Sequence, residues 1–346
     1  MEYLEVNMCY CIAFTACWGF SIFQVTFAMG SNTNTTAIFE AKFGWDKDES
    51  ILNNSIITTA GIVGAMIGCF IGGPVVEKGR RRGAVIGHII CILSSVISMF
   101  EHTVTLSIGR LLLGTGAGIM NVVFGKMITE TIPAHLMPIF SMIHNACICT
   151  GYFLCFGLAA LLPDAKDEQA NKEDELWRVI WLTPAAIGII VILLVLFVFK
   201  LESVGFCLME GRDEEALKHL AKVYRKKEGS TSKTIEELLE VQYQFLKNTT
   251  TTDAASVTFK EAICGRKYRK ASWICAVMNL YSQWSGINAI TVYSNRLLTK
   301  MVEDGGDFPI TPLQGTYIIG LANAVGANIP VFYAGKIGRR PIFILG

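Results

Sequence analysis

The chain has 346 residues, of which 52% are hydrophobic and only 17% charged. A soluble globular domain is normally nearer a quarter charged, and the charges here are clustered, so long stretches carry almost none. Lysine plus arginine number 30 and aspartate plus glutamate 29, a balance that argues against a nucleic-acid surface.

Asn7 to Met29 is the first apolar run, long enough to cross a bilayer, which takes about 20 residues of helix. It lacks a basic leader and is longer than a signal-peptide core, so a retained helix is expected. Ser31 to Ser50 is polar and carries Asp46, Asp48 and Glu49. Ile51 to Val76 is the second span. Its glycines at 61, 64, 68 and 72 fall at three- and four-residue spacing, which gives one smooth helix face for backbone-close packing. The stretch Gly72–Arg82, GGPVVEKGRRR, then stops the apolar run with a tight Gly79 turn and an arginine triplet. Gly83 to Phe100 is the third span. Thr105 to Ile128 is the fourth, with Gly109-Arg110 early and Gly114, Gly116 and Gly118 as a second close-packing face. Ile139 to Leu162 is the fifth, the acidic loop Pro163–Leu176 follows, and Val179 to Phe199 is the sixth.

From Lys200 to Lys270 the chain is charged. Gly211–Lys227 and Thr234–Leu246 read there as amphipathic helices. Ala271 to about Leu298 is the seventh span, Leu313 to Phe332 the eighth, and Pro341 opens what should be a ninth. Gly335–Arg340, GKIGRR, echoes the first basic turn, which points to an internal duplication. The expected fold is an all-α polytopic membrane protein with eight transmembrane helices plus the start of a ninth. Residues 1–199 form a six-helix bundle, 200–270 a linker domain with short helices, and 271–346 the first part of a second bundle.

The loops sort by sign. Lys78, Arg80, Arg81, Arg82, the 200–270 segment, Lys336, Arg339 and Arg340 fall on one side. Asp46–Glu49, Glu101, the acidic 163–176 loop, Glu303, Asp304 and Asp307 fall on the other. Basic short loops face the cytoplasm, which places the N-terminus inside, in either the plasma membrane or an internal one. Asn34-Thr35-Thr36 and Asn53-Asn54-Ser55 match the glycosylation pattern on the outer side, Asn53 too near the membrane.

Buried polar groups are costly in a membrane and mark sites. The seventh span is the richest, with Ser282, Gln283 and Asn288; the fifth offers Asn145, the eighth Asn323 and the fourth Arg110. Amides and hydroxyls dominate, and the span interiors hold no carboxylate. Paired donors and acceptors suit a neutral, hydroxyl-rich solute. A cation would want carboxylates and an anion more arginine. Most of the eleven cysteines lie inside apolar runs, as buried thiols do. Cys9 with Cys11 and Cys147 with Cys149 lack the histidine or carboxylate set that would complete a metal site, so neither metal nor cofactor is expected. No nucleophile–base set or nucleotide loop points to an enzyme. No charged ring or carbonyl filter points to an ion channel.

The chain resembles the sugar porters of the major facilitator superfamily. The resemblance rests on Gly109-Arg110 through Glu130 and Pro133, Trp177-Arg178, Glu202-Ser203 followed by Gly211–Ala216, and Gly338-Arg339-Arg340. Its most specific part is SQWSGINAITVY at Ser282–Tyr293. It implies monosaccharide binding at mid-membrane by Asn145, Ser282, Gln283, Asn288 and Asn323. It also implies an intracellular gate held by Glu77, Arg80, Arg81, Glu130, Glu202, Arg339 and Arg340, with Arg110 deeper in the fourth helix. Departures thin this pattern. Met137-Pro138 replaces Arg-Gly, Leu201, Val204 and Gly205 replace two prolines and an arginine, and Gly335 replaces an acid. Asn145 and Ser282 shorten two sugar-binding side chains.

The chain covers about the first two-thirds of that family's fold. The expected function is facilitative transport of a hexose or related polyol, whose partners are that small neutral solute and the lipid bilayer. One alternative is a proton-coupled symporter. Another is a natural truncated form with a structural or regulatory role and protein partners. Coupled family members carry a first-helix aspartate beside the fourth-helix arginine; the matching stretch here is Gly19-Phe20-Ser21. Ser21 cannot titrate, Asn7–Gly30 holds no Asp, Glu or His, and His144 is the titratable group expected near the cavity, so uniport is expected.

Overall fold

Thirty-six residues from Met8 to Phe43 form one helix, α1, which runs through the polar stretch Ser31–Thr36. The side chains in that stretch satisfy themselves against their own backbone. Asn34 donates to the Gly30 carbonyl (3.3 Å), Thr35 to Ser31 (2.9 Å) and Thr36 to Asn32 (3.1 Å), a back-bonding open to short polar residues in helices. Asn34 is buried and helical, so its glycosylation pattern has no accessible acceptor. The computed structural model describes residues 4–163, 167–226, 236–237, 239–240, 243–244, 246, 259–303 and 311–333.

Helix α2 (Lys47–Glu77) opens on a reciprocal cap in which the Asp46 side chain accepts from the Glu49 amide and the Glu49 side chain from the Asp46 amide. The basic turn is shorter than the sequence implies. Only Lys78 and Gly79 separate α2 from α3 (Arg80–Ile97), so the arginine triplet forms the first turn of a helix. Gly79 has φ 134°, a conformation that excludes a side chain. Next come α4 (Thr103–Thr131), capped by the His102 side chain, and α5 (Met137–Ala159). A short α6 (Glu168–Glu173) precedes α7 (Leu176–Leu193), which ends in a π turn, Leu194–Val198.

The segment beyond α7 folds against the bundle through α8 (Val204–Met209) and α9 (Asp213–Val223). Two short strands went unforeseen. β1 (Leu4–Val6) pairs antiparallel with β2 (Tyr224–Lys226), and the Asn7 amide donates to the Val223 carbonyl at 2.8 Å. Leu220, Val223, Leu239 and Tyr243 are buried there, with Leu217 packed partly against them. Leu238 lies outside the described residues. After α10 (Phe259–Cys264) the expected seventh span is two helices, α11 (Arg269–Trp284) and α12 (Ile287–Glu303), broken at Gly286 with φ 75°. The eighth span is α13 (Pro312–Tyr333).

Among the described residues, five helical stretches are long and apolar enough to cross a membrane: Met8–Phe43, Asp48–Glu77, Thr103–Thr131, Met137–Ala159 and Leu176–Val198. That is three fewer than the eight expected: α3 carries three arginines in its first turn, the seventh span is broken, and the eighth, α13, is interrupted by Gln314, Asn323 and Asn328. A ninth helix would lie outside the described residues.

The helix pairs have an internal symmetry. The main contacts in the bundle are α2 with α4, α3 with α4, α1 with α5, α3 with α7 and α1 with α7. Exchanging α1, α2, α3 for α4, α5, α7 turns the first into the third and the second into the fifth, and leaves the fourth unchanged. This is the pattern of two three-helix repeats. The α2–α4 seam depends on glycine. A Cβ on Gly64 or Gly68 would collide with the Leu111 or Thr115 carbonyl, and one on Gly114 or Gly118 with the Gly61 or Ala65 carbonyl.

Candidate functional site

The amides expected to bind solute lie on elements the fold treats differently. Asn145 is exposed on α5, one turn before Cys149. The Cys149 thiol donates to Asn323 Oδ1 on α13 at 3.5 Å, so the residue that meets Asn323 across the packed α5–α13 pair is Cys149. Ser282 and Gln283 are exposed near the end of α11, a helix with no buried residue. Asn288 stands in the first turn of α12, and its side chain lies outside the described residues.

A cavity of about 200 Å³ opens between α1, α2, α4, α5 and the face of α12 that follows Asn288. Asn32, Thr58, Arg110, Tyr152 and Tyr293 supply its polar groups. The Asn32 amide donates to Thr58 Oγ1 at 3.2 Å. Sequence reading missed both residues: Asn32 lies in the polar stretch Ser31–Thr36 that read as a loop, and Thr58 offers one hydroxyl beside Ile56 and Ile57.

At the opposite end, where α3 begins, the charged residues converge. Arg80 is buried and grips Glu130 with two hydrogen bonds, Nε to Oε2 at 3.0 Å and Nη2 to Oε1 at 2.8 Å. It also lies over the Phe206 ring at 4.7 Å. The Ser203 hydroxyl donates to the same carboxylate. Glu202 accepts from the Arg81 amide at 3.2 Å with both oxygens, so it caps the N-terminus of α3, where the backbone amides favour an anion. The Arg81 guanidinium donates to the Val195 carbonyl at 2.7 Å. Burial raises the Glu202 carboxyl above its usual range, opposed by the α3 amides and by Arg81.

Two residues assigned to that gate stand apart from it. Glu77 is exposed at the end of α2 with no ion pair among the described residues. Arg110 is buried far from the arginines of α3, donating to the Ala28 carbonyl at 2.6 Å and to Ser31 Oγ at 3.0 Å, with Trp181 stacked at 4.0 Å. Arg339 and Arg340 lie outside the described residues.

The same contacts correct the expected pairing on α1. Arg110 meets α1 at Ala28 and Ser31, ten residues beyond Ser21, or about 15 Å along a helix. Ser21 instead faces His88 of α3, whose Nε2 is 3.0 Å from its hydroxyl. His88 Nδ1 is 2.6 Å from Gln24 Oε1. A carboxamide oxygen only accepts, so Nδ1 carries the proton in that contact. His144, expected as the titratable group near the cavity, pairs with Asn121 Oδ1 at 2.9 Å. His88 was overlooked because a lone histidine in an apolar run gives no sign of its partners.

Comparison with known proteins places this geometry in a group. The family described as sugar (and other) transporter matches residues 8–346. The chain is 27% identical over 296 residues to hexose transporter 1 of Toxoplasma gondii, covering 81% of this chain and 51% of that protein. It is 26% identical over 297 residues to the facilitated glucose transporter member 1 of solute carrier family 2 from Gallus gallus, covering 82% and 54%. The chain therefore spans about half the length of these relatives. Among solved structures it is similar to the major facilitator superfamily proton:xylose symporter XylE bound to 6-bromo-6-deoxy-D-glucose. The TM-score is 0.76 at 18% identity, covering 97% of this chain and 71% of that one. An inward-open form of the xylose transporter XylE from E. coli gives 0.68 at 17% identity, covering 96% and 70%. The fold is that of the major facilitator superfamily, and the protein is an integral multi-pass membrane protein.

Proposed function

The chain belongs to the sugar (and other) transporter family, and on that premise we propose that it is a facilitative transporter moving a hexose or related polyol by alternating access. Residues 1–199 act as one bundle, 200–270 as a cytoplasmic linker domain, and 271–346 as the start of the second bundle. The N-terminus faces the cytoplasm. Asn145, Ser282, Gln283, Asn288 and Asn323 bind the solute. A hydroxyl both donates and accepts, so a polyol can meet each amide with a complementary group. Arg80, Arg81, Glu130 and Glu202 hold the inner gate, joined by Arg339 and Arg340.

One observation carries the facilitative reading. Arg110 meets α1 at a backbone carbonyl and a serine hydroxyl, and α1 has no Asp, Glu or His from Met8 to Phe39. A serine has no proton to exchange at physiological pH. The proton-coupled alternative rests on His88, an intramembrane imidazole of the kind that marks proton pathways.

The test is uptake of labelled hexose into liposomes carrying the full-length protein. Saturable influx, inhibited by excess unlabelled D-glucose and not by L-glucose, is the expected result. Influx no greater than that into empty liposomes would sink the reading.

A further inference from the structure

A second, larger cleft of about 540 Å³ lies between the far ends of α1, α2 and α12, beyond the cavity at Tyr293. Its size falls within the range of small-molecule sites, roughly 300–1,000 Å³. One wall is a single face of α1, with Thr33, Thr36 and Glu40 at three- and four-residue spacing. The other is a face of α12, with Asn295, Arg296 and Thr299. Trp45 and Asp48 border the first wall and Lys300 the second.

Three features point to a ligand. No ion pair crosses the cleft among the described residues, although acids and bases face each other. Asn295 is 7% exposed, and its side-chain oxygen has no partner, an acceptor that a ligand hydroxyl would satisfy. The smaller cavity lies one turn further in between the same two helices, with Asn32 one turn from Thr36 and Tyr293 one turn from Arg296.

The wall chemistry selects the class. A cation would meet Arg296 and Lys300, and an anion would meet Glu40 and Asp48. A neutral polyol gives hydroxyl hydrogens to Glu40 and the Asn295 oxygen and accepts from Arg296 and Thr299. We infer that this cleft is an outer subsite where a neutral monosaccharide or polyol docks before it reaches the deeper amides, an inference that rests on the transport reading above.

Trp45 makes the subsite observable. Full-length protein in lipid nanodiscs is titrated with D-glucose while tryptophan emission is followed. A saturable change is expected that disappears in Trp45→Phe. Arg296→Gln and Thr299→Val should each raise its half-saturation about tenfold, the effect of losing roughly 1.4 kcal/mol of contact. Gln283→Ala, which acts at the deeper site, should leave that half-saturation in place. Glucosamine and glucuronate, the charged counterparts, should give a weaker response than glucose.

A change that survives Trp45→Phe would overturn the inference. So would a half-saturation that moves with Gln283→Ala and not with Arg296→Gln or Thr299→Val, or an equal response to the charged sugars. Hexose uptake without a Trp45 response would sink the subsite alone. A Trp45 response without uptake would remove the transport reading and leave a binding site.

Discussion

Arg80 is 3% exposed, and its guanidinium is met by Glu130, itself 14% exposed. Removing one partner of a buried pair leaves the other charge without compensation, at a cost of about 3–5 kcal/mol. Glu130→Ala should therefore lower the melting temperature of the purified full-length protein clearly. Glu77→Ala, at an exposed carboxylate, should change stability by no more than about 0.5 kcal/mol. Equal effects from the two would contradict the geometry. The motif reading put both acids into one gate, since spacing shows that acids and arginines share an end of the bundle but not which of them touch.

His219 gives a pH dependence at the same scale. Its ring is fully buried, with Nδ1 donating to the Glu202 carbonyl at 2.6 Å and Nε2 2.9 Å from the Tyr10 hydroxyl. Burial pushes its pKa down to about 4 from 6.5. The folded protein thus binds the proton less readily than the unfolded chain. The histidine's contribution is complete above pH 6.5 and is lost as the pH falls towards 4. Melting temperature followed from pH 8 to pH 4 should drop more steeply over that window than in His219→Gln. Parallel curves would remove His219 from the account. The sequence offered no way to this contact, because Tyr10 and His219 meet only once the segment after α7 folds back under α1.

At the scale of elements, the helices and their close-packing faces were legible and their ends were not. Glycine spacing identified close-packing faces on α2 and on α4, because a missing side chain every three or four residues has one geometric meaning on a helix, but not that the two faces meet each other. Hydropathy misplaced the end of α1, since Ser31, Thr35 and Thr36 read as loop residues yet bond to their own helix. It also joined α11 to α12, because it is blind to the φ of 75° at Gly286. The seam carries its own test. Gly114→Ala places a methyl against the Gly61 carbonyl, and overpacking of this kind typically costs about 1–3 kcal/mol. Gly125, with open space around its Cβ position, serves as the control. Gly114→Ala should reduce the yield of monodisperse protein and Gly125→Ala should not; a seam that tolerates both equally is not close-packed.

At the scale of the whole molecule, the helix pairing of the first bundle has the symmetry of two three-helix repeats; the duplication read from the two basic turns is a separate expectation, and the second of those turns lies outside the described residues. The proposed solute-binding residues rest on residue types and positions in motifs. What motif matching could not supply was the partner of each. It set Ser21 beside Arg110, where the fold sets Ser31, and it passed over His88. Gln283 on α11 carries the central part of the proposed site. Gln283→Ala should weaken hexose binding by about ten- to a hundredfold, the cost of one lost amide–hydroxyl contact, with protein level unchanged. Equal uptake by the variant and the parent would count against the site.

The most direct test of facilitative transport is hexose uptake into liposomes carrying the full-length protein, with an inward proton gradient imposed and equal hexose on both sides. With no Asp, Glu or His on the stretch of α1 that meets Arg110, the internal concentration should stay equal to the external one, while tracer exchange remains fast. Accumulation above the external concentration would contradict the account, and its loss in His88→Gln would identify His88 as the coupling group.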